Sequence, residues 1–135
     1  MKSSLEEFNF YSSISKINKN DWNSFITDNH PFLQHEFLSA LESSNSACSK
    51  TGWQPYHYVE KDNNGQIIAL APLYIKNHSF GEYIFDHAWA EAYERYGLSY
   101  YPKLQSAIPF TPVTGDRILI KNSLQKKAKE INNII

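Results

Sequence analysis

The chain has 135 residues, 13 basic against 14 acidic side chains, a net charge of −1 and 41% hydrophobic residues. That length suits one domain with a real core, and that hydrophobic content excludes global disorder. The near-neutral balance lacks the basic footprint of a nucleic-acid binder, so no DNA partner is expected.

The opening MKSSLEEFNF has no apolar h-region, and the longest apolar run, Ile67 to Ile75, is too short for a bilayer and is interrupted by Pro72. A cytoplasmic protein without a membrane span is therefore expected. Cys48 is the only cysteine, which rules out an intrachain disulfide; in its polar loop it reads as incidental rather than nucleophilic.

Phe8 to Ile14 puts Phe8 and Phe10 on one face at period two and reads as a first strand. Asn20 or Asp21 can cap a short helix reaching Asp28, in which Trp22, Phe25 and Ile26 keep i, i+3, i+4 spacing. Asn29-His30-Pro31 ends it. A second helix covers about Gln34 to Ser43, with Leu33, Phe37, Leu38 and Leu41 in one stripe.

After a Ser-rich loop, Gln54 to Lys61 sets Tyr56 and Tyr58 on one strand face and His57 and Val59 on the other. Asp62-Asn63-Asn64-Gly65 predicts a hairpin turn, because these residues tolerate positive φ. The return strand, Gln66 to Lys76, is almost continuously apolar, and Pro72 predicts a bulge or an edge within it.

Phe85 to Tyr96 predicts a helix with Trp89, Ala92, Tyr93 and Tyr96 on one side, closed by Gly97. Leu104 to Phe110 reads as a strand and Thr111 to Arg117 as a turn, extended by Ile118 to Ile120. Asn122 or Ser123 then caps a last helix, with Leu124, Ala128, Ile131 and Ile135 along one side. Strand, two helices, hairpin, helix, strand and helix make an α/β layered domain over residues 1–135.

The segments PFLQHEFLSALE, TGWQPYHYV and APLYIKNHSFGEYIFDHAWAEAYERYGLSYYPKLQSAIPFTPVTGDRIL resemble bacterial FemAB-like proteins, also described as GNAT-type N-acetyltransferases or peptidoglycan-biosynthesis-like proteins. The resemblance runs from about Asp21 to Leu119. It implies a partial GNAT-like fold, a mixed sheet flanked by helices that splays open to admit acyl-CoA (acetyl-CoA) or an aminoacyl-tRNA. By order of elements, Leu104 to Phe110 would be the fourth strand of that sheet, and the donor's pyrophosphate would rest on the turn after it. Thr111, Val113, Thr114, Gly115 and Arg117 are then the cofactor-binding residues. The family pattern at that turn, Gln/Arg-x-x-Gly-x-Gly/Ala, is met here by Gly115 alone.

Family members run on past the last helix with further strands, so the resemblance also implies an N-terminal half lacking the C-terminal strands. An unpaired sheet edge of that kind invites self-association or a partner chain that completes the sheet.

Acyl transfer to a small-molecule or peptide amine needs a base, and Glu82, Asp86, Glu91 and Tyr93 are the candidate catalytic residues in the carboxylate- and tyrosine-rich stretch, with Glu94 and His87 among them. The competing reading for these carboxylates is a solvated helix face, with Glu91 paired to Arg95. For Thr111 to Arg117 it is an ordinary polar turn. Tyr93, Tyr96, Tyr100 and Tyr101 can line an acceptor groove or fill the core. The histidines show no paired ligand spacing, so no metal is expected. A non-catalytic module that pairs through its open sheet edge is the alternative function.

Overall fold

A computed structural model describes residues 9–80, 82 and 85–124 of the chain. Its centre is one long hairpin, cut in two. The outgoing arm comprises β2 (Trp53–Pro55) and β3 (His57–Lys61). The returning arm comprises β4 (Ile67–Ala71) and β5 (Tyr74–Lys76). Asp62 holds the turn between them: its Oδ1 accepts from the backbone N–H groups of Asn64 (2.8 Å) and Gln66 (2.9 Å). Gly65 there takes the positive φ of 78° that the turn demands.

Pro72 has no N–H to give to a ladder, and both arms break opposite it. The expected bulge is thus a full division of the hairpin into two sheets. One is four-stranded in the order β1-β3-β4-β7, with β1 at Phe10–Tyr11 and β7 at Leu119–Ile120. The other is three-stranded in the order β2-β5-β6, with β6 at Lys103–Gln105. Every pairing among the described residues is antiparallel. The α/β class expected from the sequence stands, but the strands do not form one mixed sheet.

Helices α1 (Lys19–Asn23) and α2 (His35–Ser43) supply Trp22 and Leu38 to the main core, where they meet Val59 and Leu70 of the four-stranded sheet, Ile14, Leu33 and Leu119. Asn18, rather than Asn20 or Asp21, caps α1, accepting from the N–H groups of both of those residues. Its cap position leaves Trp22 facing inward, with the indole Nε1 donating to the Leu33 carbonyl at 2.8 Å. A smaller core joins Ala47, Trp53 and Tyr74 to Leu41, Ala107 and Phe110.

Four expected elements differ. Helix α1 ends at Asn23 rather than reaching Asp28. The first strand is two residues long, because Ser13 caps a 3-10 turn at Ile14–Lys16. The strand expected over Leu104 to Phe110 is confined to Lys103–Gln105, since residues beyond it leave the sheet through Pro109 and Phe110, the latter at φ 60°. The turn at Thr111 to Arg117 leads into β7, not into a helix. Of the last helix, residues 122–124 are helical and the rest lies outside the described residues, as does the paired stripe of Ala128, Ile131 and Ile135. Helix α3 spans His87–Arg95, close to expectation. No helix among the described residues is long and apolar enough to cross a membrane.

Candidate active site

The register of the small sheet assembles the site. Trp53, Lys76 and Lys103 form one cross-strand row, and Pro55, Tyr74 and Gln105 form the row two residues along. Side chains two apart on a strand share a face, so Trp53, Tyr74, Lys76, Lys103 and Gln105 stand on one side of the sheet. Gln54, Ile75 and Leu104 take the other side, where Leu104 is exposed.

Two lysines side by side on one face repel each other unless each has a counter-charge. Lys103 has Asp86, which it contacts directly, and Asp86 also accepts from the Tyr101 hydroxyl at 2.8 Å. Burial would raise the Asp86 carboxyl, but the bonds from Lys103 and Tyr101 outweigh it and hold it below its ordinary value. Burial and the same bond push the Tyr101 phenol up to about 12. Burial would lower Lys103, yet its bonds to Asp86 and Tyr100 win and raise it. Asp86 is therefore an anchor that ties the start of α3 to β6, with both oxygens already engaged by Tyr101 and Lys103.

Lys76 is fully buried, an uncommon position for a lysine. Its Nζ lies 4.0 Å from the Trp53 ring centroid, donates to the Phe80 carbonyl at 3.0 Å and is 3.9 Å from Glu82 Oε1. Desolvation lowers its pKa; Glu82 opposes that and Lys103 reinforces it.

Beside this lysine is a cavity of about 90 Å³ lined by Trp53, Glu82, Gln105, Ile108, Phe110 and Thr111, among others. Trp53 Nε1, Glu82 Oε1 and Gln105 Oε1 are all buried without a hydrogen-bond partner. Unmatched buried polar atoms are rare in folded proteins, and three around one small cavity mark it as built to receive something.

Of the four expected catalytic residues, the structure brings only Glu82 to this cavity. Glu91 is exposed and pairs with Arg95 at 3.7 Å, the solvated helix face. Tyr93 is largely exposed, its ring against Tyr100 at 5.1 Å between centroids. Trp89 and Tyr96, expected on the same side of the helix, are 67% and 83% exposed.

The expected cofactor-binding residues are divided. Thr111 borders the cavity, and its hydroxyl donates to the Pro109 carbonyl. Val113, Thr114 and Gly115 line a separate shallow depression with His30, whose Nε2 meets the Thr114 carbonyl at 2.9 Å. Arg117 turns its guanidinium back onto the carbonyls of Val113 and Gly115. A pyrophosphate needs free donors, and here the strongest donor is engaged by its own loop. The Arg117 guanidinium is thus not free for that group.

Sequence reading missed Trp53, Lys76 and Gln105. A lysine closing the otherwise apolar run Ile67 to Ile75 was the available signal for one of them. Among the described residues no group of His, Cys, Asp and Glu could hold a metal ion.

No curated protein and no solved structure significantly matches the chain. The profile of the FemAB-like family, described as peptidoglycan biosynthesis/recognition, matches residues 13–135, a span that includes the whole cavity and every described strand except β1. The chain therefore belongs to the FemAB-like family.

Proposed function

We propose that this protein transfers an acyl or aminoacyl group to an amine of peptidoglycan-type substrates, with Glu82 as the base. One observation carries the reading: Glu82 alone among the candidate bases keeps a buried carboxylate oxygen without a hydrogen-bond partner at a cavity, 3.9 Å from the Lys76 ammonium.

The amine nitrogen attacks the donor carbonyl carbon and the N–C bond forms. Its surplus proton passes to Glu82, the bond to the leaving oxygen or sulfur breaks, and the proton follows the leaving group. The donor is an acyl thioester such as acyl-CoA or an aminoacyl ester, and the reading assigns no residue to its phosphates.

The test is transfer by the purified full chain to a peptide amine. Glu82→Gln is expected to lower kcat by about 10²–10⁴-fold, while Asp86→Glu leaves the base in place. Undiminished transfer by Glu82→Gln sinks the assignment.

The alternative, an interaction module, draws on β6. Among the described residues this strand pairs only with β5, and it carries an exposed Leu104, so its outer edge suits strand addition by a second copy or a partner chain. A concentration-dependent dimer lost on Leu104→Lys, with no transfer activity, favours that reading.

A further inference from the structure

We infer that the small cavity is an amide-binding site, in which Trp53 Nε1–H bonds the amide oxygen while Glu82 and Gln105 accept from the amide nitrogen. The inference extends the proposed transfer reaction, whose amine–carbonyl adduct carries one oxygen and two N–H groups, and assigns two residues that reaction had not claimed.

An indole nitrogen can only donate, and a carboxylate can only accept. Both atoms are buried without a hydrogen-bond partner, with Trp53 1% exposed and the Glu82 side chain 8% exposed and 3.9 Å from Lys76 Nζ. Gln105 Oε1 adds a second acceptor on the same cavity. The occupant that satisfies all three must present one acceptor and N–H donors close together, within a space for a few heavy atoms.

An ammonium offers donors but leaves the Trp53 N–H unmet. A carboxylate offers acceptors, has no N–H for Glu82 or Gln105, and adds charge of the same sign beside Glu82. A hydroxyl has one hydrogen for two acceptors. A primary carboxamide supplies the full set. So does the adduct of an amine on a carbonyl, where the oxygen faces Trp53 and two N–H groups face Glu82 and Gln105.

The remaining contacts hold this arrangement in shape. Lys76 stacks on Trp53 and ties down Phe80, two residues before Glu82. Phe110 and Tyr74 flank the indole at centroid distances of 5.7 and 5.5 Å. The indole is therefore fixed before a ligand arrives, which favours binding by preorganisation.

The test uses the whole chain and acetamide, followed by the indole N–H resonances of its three tryptophans. Trp53→Phe assigns the relevant peak, and the Trp22 peak, held by its bond to Leu33, reports an intact fold. Acetamide is expected to shift the Trp53 resonance saturably. N,N-dimethylacetamide, which has no N–H, and acetate are expected to bind about tenfold more weakly or worse, because each leaves buried acceptors unmatched. Gln105→Leu should weaken acetamide by a similar factor without moving the Trp22 peak.

Equal binding of acetamide and N,N-dimethylacetamide overturns the inference, as does a Trp53 peak that acetamide never moves. Amide binding in a protein without transfer activity upholds this site and removes the transferase reading. Transfer that depends on Glu82 but shows no amide selectivity does the reverse.

Discussion

Trp22 and Trp53 are both at most 1% exposed, yet they sit in different chemical settings. Trp22 lies over the four-stranded sheet, and its indole N–H finds the Leu33 carbonyl. Trp53 lies in the three-stranded sheet, and its N–H finds nothing. The contrast extends to their surroundings. Near Trp22 a buried polar network is matched: His57 Nε2 donates to Glu42 at 2.7 Å, and Glu42 also takes the Ser13 hydroxyl and the Ile14 N–H. His57 Nδ1 accepts from the Leu73 N–H at the break made by Pro72, which places the ring's proton on Nε2. Around Trp53 there are a buried lysine and unmatched oxygens. One end of the hairpin is organised for stability, and the other keeps polar groups in reserve, the usual mark of a functional site.

The largest expected effect tests the stable half. Leu70 is fully buried in β4. Leu70→Ala should cost about 2–5 kcal/mol in chemical denaturation, through lost burial and the cavity left behind. Leu104→Ala, on the outer face of the other sheet, should stay within about 0.5 kcal/mol. Equal costs would mean that the two sheets share one core, and the comparison would fail.

Next come the two buried charged groups. Glu42→Ala removes the acceptor from His57, Ser13 and Ile14 together, and is expected to cost about 3 kcal/mol. Replacing Lys76 and Glu82 together by Met and Leu should change stability by only about 1 kcal/mol, since buried ion pairs exchange for apolar pairs with little loss. The double variant should nonetheless lose both transfer and amide binding. A collapse of the fold equal to that of Glu42→Ala would make Lys76 and Glu82 structural.

Much of this division was legible and some was not. The hairpin turn, α2 and α3 followed from Asp-Asn-Asn-Gly and from apolar spacing, which act locally. Pro72 marked the place where the hairpin breaks, but its consequence, two sheets instead of one, depends on what pairs with each half. The cavity was out of reach for the same reason. Trp53, Lys76 and Gln105 belong to three strands scattered over fifty residues of sequence, and only the cross-strand register aligns them. Glu82 could be nominated as a carboxylate near a helix; its distinction from Asp86 and Glu91 lies in which partners each already has. Trp89, Tyr93 and Tyr96 had helical spacing, but the spacing identifies a face and not what lies against it.

A third test uses pH on the bonds that fix α3 to the small sheet. Asp86 titrates below its ordinary value of 3.8 when folded. Its contribution is therefore present above that pH and lost as pH falls through the folded value. The Tyr101 phenol and the Lys103 ammonium are both raised, so their contributions hold below their ordinary values of 10.0 and 10.5 and fade as pH climbs toward 12. Asp86→Asn should lower the melting temperature at pH 6, and its gap from the parent should shrink as pH drops below about 4. A gap of constant size from pH 6 to pH 3 would show that the anchor does not depend on the carboxylate charge.

The smallest expected effect separates the carboxylates from one another. Glu91 faces solvent on α3, its partner Arg95 four residues on and itself 79% exposed. Pairs of this kind are worth about 0.3–0.5 kcal/mol and are screened by salt. Glu91→Gln should therefore shift stability by no more than that, an amount that vanishes at high salt, and should leave the Trp53 resonance and any transfer rate unchanged. Glu82→Gln should act in the opposite sense. It leaves an uncharged side chain of the same shape in the cavity, at some cost from the unpaired Lys76 that the Trp22 resonance would report if the fold were lost, while proton acceptance is lost. If instead Glu91→Gln impairs transfer and Glu82→Gln does not, the chemistry belongs on the exposed face of α3, beside Trp89 and Tyr93. The cavity beneath Trp53 would then be a binding feature without a share in the reaction.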